Sequence, residues 1–376
     1  MATTTDVVVI GGGVIGIAVA YHLAGHKVRT WLVDKGQPGQ EASAAAAGML
    51  AATSGGSKRG PMYQLKRASQ ALYPALVREL EERTGVDIEY QTPGIFEILL
   101  TEADELRYRR LYELRAEQGH AVSWLSAEAA RRHEPSLTPA LRAAVHFAAD
   151  HHLHNGKLAR AWAEAARQRG VSLHTGTTVT EARIRNGRVS EVRVGDDWVS
   201  ADSVVIAAGS WSAQVGELFE LRIPVRPAKG QMLAIRAPQL RHVIASDDRY
   251  LVPRKNGEVI LGSTVEFTGY DKDVTLEAVR RLAEWADGVV PGIGKAPLSR
   301  CWAGLRPYSP TRRPILGRAP GLENVVLATG HHRNGILLAP ITGQLISELI
   351  TTGRTGLSLE PFGLPAEPHP HQDEAE

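Results

Sequence analysis

The opening of the chain constrains the fold most tightly. Residues 6–10, "DVVVI", form a short run of mostly β-branched apolar residues, the composition of a central parallel strand buried on both faces. The run leads into "GGGVIG", which sets Gly11, Gly13 and Gly16 at G-x-G-x-x-G spacing. "VIGIAVAYHLAG" then reads as a helix ending near Gly25, and "VRTWLVD" as a second buried strand ending in Asp34. Each part has a job at a dinucleotide. Gly11 permits the tight turn, Gly13 lets the backbone reach a pyrophosphate, and Gly16 lets helix and strand pack closely. The helix N-terminus offers free N–H groups and the positive end of its dipole. Asp34 can accept hydrogen bonds from a ribose. With 37 glycines in the chain the spacing alone carries little weight. The strand before it, the helix after it and the acid at the next strand end give it meaning. The unit by itself does not separate FAD from NAD.

Three further segments favour FAD. In "GQEASAAAAGMLAA", residues 39–52, four alanines precede Gly48 and Met49. Helix propensity would account for alanine. The position, just after Asp34, suggests instead a small-residue surface against which a large flat ligand lies, with Ser43 capping a short helix. "SVVIAAGSWS", residues 203–212, is a second buried strand ending in a small-residue turn at Ala207, Ala208 and Gly209, after a β-meander over residues 171–201. In "ATGHHRNGILLAPITGQLISELI", residues 328–350, Pro340 fits the first turn of a helix, which places the start near Leu338 or Ala339. Leu345, Ile346 and Leu349 form the apolar face and Gly353 the stop. A helix N-terminus behind this glycine-bearing loop suits the negative charge that a reduced flavin gathers.

The net charge of +2 over 376 residues gives no reason to invoke nucleic acid or an anionic membrane. The single cysteine, Cys301, rules out an internal disulfide and fits a reducing compartment. "MATTTDVVVIGGG" enters a strand at once, without a signal-peptide pattern, and no apolar run reaches the roughly 18 residues of a membrane span, so a cytoplasmic protein is expected. The tail over 356–376 is rich in Pro, His and acid and is expected to be disordered. "DHHLH", residues 150–154, has no accompanying ligand set with zinc spacing and reads as a loop; no metal is expected.

Together these segments resemble the D-amino-acid-oxidase-like family of FAD amine oxidoreductases, and within it the glycine oxidases of thiamine thiazole biosynthesis. The resemblance runs over residues 5–350 and is carried by residues 45–50, "YLVPRKNGEVILGST", "CWAGLRP" and "GHHRNGILLAP". It implies an α/β fold: an FAD-binding Rossmann-like domain joined to an antiparallel-sheet substrate domain. The expected division is 1–85, 145–220 and 300–355 for FAD, with 86–144 and 221–299 for substrate. By the same resemblance Ala47, Gly48 and Met49 touch the isoalloxazine. Val14, Ile15, Asp34, Lys35, Ala42 and Ser43 hold the rest of the cofactor, with Val179 at the adenine end and Gly209 at the second turn. The flavin loop is His331, His332, Arg333, Asn334, Gly335, Ile336 and Leu337. Cys301 is followed by Trp-Ala-Gly and lacks the covalent-attachment motif of the sarcosine-oxidase branch, so FAD is expected to be non-covalent and Cys301 buried and inert.

On the substrate side, residues 94–101, 229–237, 248–255 and 257–267 read as strands of an antiparallel sheet, with Asn256-Gly257 as a hairpin turn. A substrate carboxylate needs a planar bidentate donor. The arginines in "RYRRLYELR", residues 107–115, and in "ARR", residues 130–132, read as solvated helix faces. Arg306, in the apolar segment "CWAGLRPYSP", does not. The resemblance makes Arg306 the carboxylate-binding residue, Tyr250 its hydroxyl partner and Arg333 a second active-site arginine. Asp248 stands where the family often has histidine, and a pocket methionine is replaced near Val265, which opens side-chain specificity. The implied reaction is oxidative deamination of glycine, sarcosine or small D-amino acids with oxygen, yielding hydrogen peroxide, in a homo-oligomer, often a tetramer. Rivals are a D-amino-acid or N-methylglycine oxidase or dehydrogenase on the same fold, and a tRNA-modifying FAD protein, which would need a basic nucleic-acid face.

Overall fold

The β-branched run after the N-terminus becomes the strand Thr3–Ile10, in the middle of an eight-stranded sheet. The computed structural model describes residues 3–55, 59–237, 240–246 and 248–365. Thr3–Ile10 pairs in parallel with Thr30–Asp34 on one side and Asp197–Ile206 on the other. Ser172–Thr175 extends the sheet beyond Thr30–Asp34, and Val325–Thr329 and Ile315–Arg318 extend it beyond Asp197–Ile206. Of the meander expected over 171–201, Val179–Arg185 and Arg188–Val194 hang on Asp197–Ile206, whereas Ser172–Thr175 lies outside it, in parallel with Thr30–Asp34.

Four helices bear on the site: α1 (Val14–Gly25), α2 (Pro61–Thr84), α3 (Glu102–Glu117) and α4 (Gly335–Thr352). α1 is buried on nearly every side, from Val14 to Leu23, because it lies between the sheet and α4. Gly343 allows that crossing: a Cβ there would stand 2.8 Å from the backbone of Ala18. The stretch His332–Thr352 is long and apolar enough to cross a membrane by length and composition. Here α4 packs in the core with α1 and α2.

The second sheet also has eight strands, in the order Leu298–Tyr308, Arg226–Arg236, Glu258–Gly262, Arg249–Pro253, Val243–Ser246, Ile95–Leu99, Ala143–Phe147 and Val122–Ser126. It is antiparallel except where Val243–Ser246 runs parallel to Ile95–Leu99. Ala143–Phe147 and Leu298–Tyr308 carry it across the segment limits expected at 145 and 300. The hairpin at Asn256-Gly257 closes as expected, with Gly257 at a φ of 80°.

Several expectations need correction. Pro340 does not open its helix. α4 begins at Gly335, and Pro340 lies inside it. Its missing N–H frees the carbonyl of Ile336, and the buried Tyr73 hydroxyl donates to that carbonyl. Ser69 Oγ donates to the Leu337 carbonyl at 2.6 Å and accepts from Ile341 N at 3.3 Å. Two side chains of α2 thus complete the helix that proline interrupts, a tertiary compensation no local rule contains. Cys301 is exposed rather than buried. Arg115 is fully buried, unlike the solvated residue expected, because its guanidinium is spent on the carbonyls of Thr53 and Gly55 at 2.8 and 3.1 Å. The tail expected to be disordered from 356 is ordered at its start: Phe362 is buried against the core, with Leu357 and Leu359 beside it. Residues 366–376 lie outside the described residues.

Tyr73→Phe keeps the packing and removes the donor to Ile336, leaving a buried carbonyl without its partner. The expected loss is about 1–3 kcal/mol, read as a lower denaturant midpoint with an unchanged slope.

Candidate active site

The glycine turn is built as a cradle. Gly11 adopts a φ of 109°, and a Cβ there would stand 2.4 Å from the Ala207 carbonyl. At Gly16 a Cβ would stand 1.8 Å from the Gly11 carbonyl, so Gly16 serves helix packing and does not line the cavity described below. Gly13 differs: the nearest atom to its missing Cβ is Ser43 Oγ at 3.5 Å, ordinary contact. The protein itself would tolerate a side chain at Gly13, so the requirement for glycine comes from what occupies the space beyond. Asp34 accepts from Gly12 N at 2.6 Å and Gly36 N at 2.7 Å, which fixes its carboxylate at the end of Thr30–Asp34. Ser43 does not cap its own short helix, Ala42–Ala45; its Oγ accepts from Val14 N, in the first turn of α1, at 3.0 Å.

The alanine run is held by its carbonyls. Asn155 Nδ2 donates to those of Ser43 and Ala44 at 2.7 and 2.9 Å, and Trp302 Nε1 to that of Ala45 at 3.2 Å. Arg254, buried, donates to those of Ala47 and Leu153 at 2.9 and 2.7 Å. The side chains are small because Ala45 lies against Gly304, where a Cβ would stand 2.3 Å away. Gly48, at a φ of 76°, turns the chain into the short strand Met49–Leu50, which pairs with His151–His152. Downstream, the buried Asp150 carboxylate accepts from the backbone of Ala52, Thr53 and Ser54 and from Gln70. The sequence reading missed Arg254, Asn155, Trp302 and Asp150. Each acts on backbone far from it in the chain, and no local motif marks such residues.

One cavity of about 800 Å³ runs from this cradle to the underside of the second sheet. Apart from Gly16 and Val265, the latter exposed, every residue expected at the cofactor or substrate lines it, from Gly11 through Val179 and Gly209 to Leu337. The Lys35 ammonium sits 3.5 Å from the centre of the Trp211 ring at its rim. His331 is buried, with Nε2 3.1 Å from Thr342 Oγ1, and burial depresses its pKa to about 3. His332 is likewise depressed to about 3, by burial first and then by Arg306, Arg333 and Arg312. Both rings are neutral at physiological pH, as suits neighbours of a cofactor rather than acid–base groups. Among the described residues no cluster of His, Cys, Asp or Glu could hold a metal.

The second sheet carries one row of residues, each directly opposite the next, Glu97, Ala245, Tyr250, Gly262, Met232 and Trp302, and of these Glu97, Ala245, Tyr250 and Met232 line the cavity. Gly262 is required by Tyr250, whose ring lies 2.7 Å from where a Cβ would be. Gly230 is required by Arg306 in the same way, at 2.2 Å. The guanidinium thus lies flat on the sheet, held by Ser263 Oγ at 2.6 Å and the Thr264 carbonyl at 3.1 Å. Burial lowers its pKa, Tyr250 beside it opposes the shift, and the group stays cationic. Arg333 is engaged differently, in an ion pair with Asp248, whose side chain is 74% exposed. Further lining residues that the sequence reading missed are Ser54, Gly55, Lys66, Glu97 and Tyr108.

A parallel sheet with a glycine cradle at its carboxyl edge, and a second sheet roofing the same cavity, define a two-sheet dinucleotide-dependent oxidoreductase. A family model described as FAD dependent oxidoreductase matches residues 6–349. A glycine oxidase of Geobacillus kaustophilus is 36% identical over 364 residues, 96% of each chain. The crystal structure of glycine oxidase from that organism superposes with a TM-score of 0.94 at 35% identity, covering 97% of this chain and 100% of the other. The hydrogen cyanide synthase subunit HcnC of Pseudomonas aeruginosa is 34% identical over 96% of each chain. The bifunctional protein ThiO/ThiG of Synechocystis is 36% identical over 93% of this chain and 52% of its own. The chain belongs to the FAD-dependent oxidoreductases of the D-amino-acid-oxidase type, and FAD is its cofactor.

The open space at Gly13 and the closed space at Gly16 give a paired test. Gly13→Val should fold normally by circular dichroism yet purify with little FAD. Gly16→Val should lose soluble yield or thermal stability even when FAD is supplied. Equal FAD content in Gly13→Val and wild type would reduce the motif to a structural turn.

Proposed function

We propose that the enzyme oxidatively deaminates glycine and other small primary or secondary amines that carry a carboxylate. The observation that carries this reading is Arg306, a planar cation laid over Gly230 in the cavity wall with Tyr250 beside it. Its Ser263 and Thr264 contacts fix the plane of the guanidinium, so a carboxylate meets a pre-oriented fork. Tyr250 adds a hydroxyl to the same carboxylate. Met232 and Ala245 supply apolar surface on either side and exclude water from the bound amine. FAD, when bound, would supply the acceptor for the α-carbon hydride and the route of its electrons to oxygen. The cradle Gly11–Val14, the carbonyl-anchored run 42–49 and the α4 N-terminus would hold it. His331 and His332 stay neutral beside it. For glycine the balance is glycine, oxygen and water to glyoxylate, ammonia and hydrogen peroxide. The contribution of Arg306 and Tyr250 is orientation, worth up to roughly 7–11 kcal/mol in favourable cases.

Supply of the imine to thiazole assembly, a cytoplasmic setting and a homo-oligomer belong to the same reading. The relative named as a cyanide synthase subunit makes product analysis worth including, because a second two-electron oxidation of the imine by oxygen, with loss of the carboxyl group as carbon dioxide, would release hydrogen cyanide in place of glyoxylate and ammonia.

Removing Arg306 strands a buried carboxylate, a loss of about 3–5 kcal/mol, or roughly two to four decades in kcat/KM at about 1.4 kcal/mol per decade. Arg306→Ala should retain FAD and lose that much glycine-dependent peroxide formation, and Arg306→Lys should recover part of it. A fall of less than about threefold at equal FAD content would move the carboxylate site elsewhere, with Arg333 the first candidate.

Cys301 is exposed and does not line the cavity. Acid precipitation should therefore release all of the FAD into the supernatant. Yellow colour retained in the pellet would overturn non-covalent binding.

A further inference from the structure

Lys66 has no role in the reaction so far described. It lies half-buried on α2, it lines the cavity, and its Nζ stands 3.3 Å from where a Cβ on Gly55 would be. Among the described lysines it is the one enclosed without a partner. Lys157, Lys229, Lys255 and Lys272 are ion-paired, Lys35 lies over the Trp211 ring, and Lys27 and Lys295 stand in solvent. No hydrogen bond or ion pair among the described residues engages the Lys66 amine. The nearby Asp150 carboxylate is already taken by Ala52, Thr53, Ser54 and Gln70. Burial holds the Lys66 pKa below its usual range; Asp150 opposes the shift and Arg115 adds to it. Desolvation beside a second cation is what turns a lysine amine into a nucleophile toward carbonyl carbon.

The reaction proposed above releases an electrophile into the same cavity. Oxidation of glycine gives an imine, and glyoxylate once water has added; both carry a carbon open to attack by an amine. The position of Lys66 relative to the site of that oxidation follows from the roof. Glu97 is two strands from Tyr250, about 10 Å at normal strand spacing, with Ala245 between them. Tyr108 of α3 donates to Glu97 at 2.7 Å, and Arg115, two turns on, donates to the carbonyls of Thr53 and Gly55. That helix therefore ties the Glu97 end of the cavity to the loop that Lys66 faces. Lys66 stands apart from the carboxylate site at Arg306, yet a product leaving Arg306 meets it inside one enclosed volume, where proximity favours the second encounter over escape to bulk water.

We propose that Lys66 is a covalent capture site for the aldehyde-acid product: its amine attacks the aldehyde carbon of glyoxylate and forms a reversible imine inside the cavity. The C–N bond forms from the amine lone pair, the aldehyde C=O bond breaks, and the oxygen leaves as water with the two amine hydrogens, so no oxidant or reductant enters. When the primary imine product is attacked instead, the leaving group is ammonia. The carboxylate of the adduct then lies in the field of Arg115, whose charge its carbonyl acceptors do not cancel. The adduct replaces one of two neighbouring cations and fills the polar end of the cavity formed by Ser54, Gly55, Glu97 and Tyr108. The proposal rests on the reaction given above as the source of the aldehyde.

The test uses FAD-loaded enzyme, added glyoxylate and cyanoborohydride, which reduces the imine to a stable carboxymethyl group on the lysine. Peptide mass mapping follows that group at each lysine over time. Lys66 should be modified at about ten times the rate of exposed Lys27 or Lys295 or faster, one decade for about 1.4 kcal/mol of barrier. Lys66→Met and Lys66→Arg should both lose the fast phase of incorporation, because neither side chain presents a primary amine. Modification of Lys66 no faster than that of Lys27 and Lys295 overturns the proposal, and so does a fast phase that survives in both variants. An adduct that forms only on FAD-free protein also overturns it, and assigns the space before Lys66 to the cofactor. Failure of the function reading is told apart because glyoxylate is supplied directly: a fast Lys66 adduct in an enzyme that makes no peroxide from glycine supports the capture site and removes the reaction as its source of aldehyde.

Discussion

The buried guanidinium of Arg254 joins the two halves of this molecule. It follows directly on the strand Arg249–Pro253 of the roof and donates into the cofactor half, to the carbonyls of Ala47 and Leu153 and to Asn155 Oδ1 at 3.2 Å. Burial brings its pKa down to about 10, so the charge persists at neutral pH, and neutral acceptors satisfy it in place of a contacting carboxylate. Asn155 passes the constraint on, because its Nδ2 holds the carbonyls of Ser43 and Ala44. Ser43 in turn meets Val14 at the start of α1. A chain of hydrogen bonds therefore runs from the strand that carries Tyr250 to the turn that receives the cofactor. The distance between the two ends of the cavity is fixed by polar groups in a dry interior, where each bond is stronger than in water and each orphan costly.

The cavity itself is made by omission. Gly230 and Gly262 leave room for an arginine and a tyrosine of the same sheet to lie down, and Gly13 leaves room that no protein atom fills. A strand glycine weakens a sheet, so each marks a place where shape outweighs local stability. The roof also shows how one register serves chemistry. Because side chains alternate along a strand, the direct pairing of Glu97, Ala245, Tyr250, Gly262, Met232 and Trp302 puts this set on a single face. A one-residue slip in the strand that carries Glu97, Ala245, Tyr250 or Met232 would remove that residue from the cavity.

The charge pattern follows from the same enclosure. Arg306 remains cationic, while His331 and His332 are driven neutral by burial and, for His332, by nearby arginines. A cavity with the permanent cation of Arg306 and neutral imidazoles attracts carboxylates without offering a strong base. Arg333 differs in kind: it pairs with exposed Asp248, which stands where the resembled family often has histidine.

The sequence by itself determined the elements whose causes are local. The strand–glycine–helix–strand unit of residues 6–34, the small-residue turn ending at Gly209, the hairpin at Asn256-Gly257 and the αL stop at Gly353 all rest on glycine geometry and on short apolar runs. The resemblance added Tyr250, Arg306 and the flavin loop, and all of these line one cavity. What the sequence misjudged depends on partners distant in the chain. Pro340 sits inside α4 because Tyr73 and Ser69 take up the groups it frees. Arg115 is buried because Thr53 and Gly55 present carbonyls to it. Phe362 finds a hydrophobic site that no tail composition announces. The same holds for Arg254, Asn155 and Asp150, whose acceptors and donors lie about 100 residues or more away in the chain. Periodicity and turn chemistry are properties of neighbouring residues, and a sequence carries them openly. Which buried polar group meets which carbonyl is decided only when the two sheets close on each other, since an unpaired group in that interior costs more than any local preference can supply.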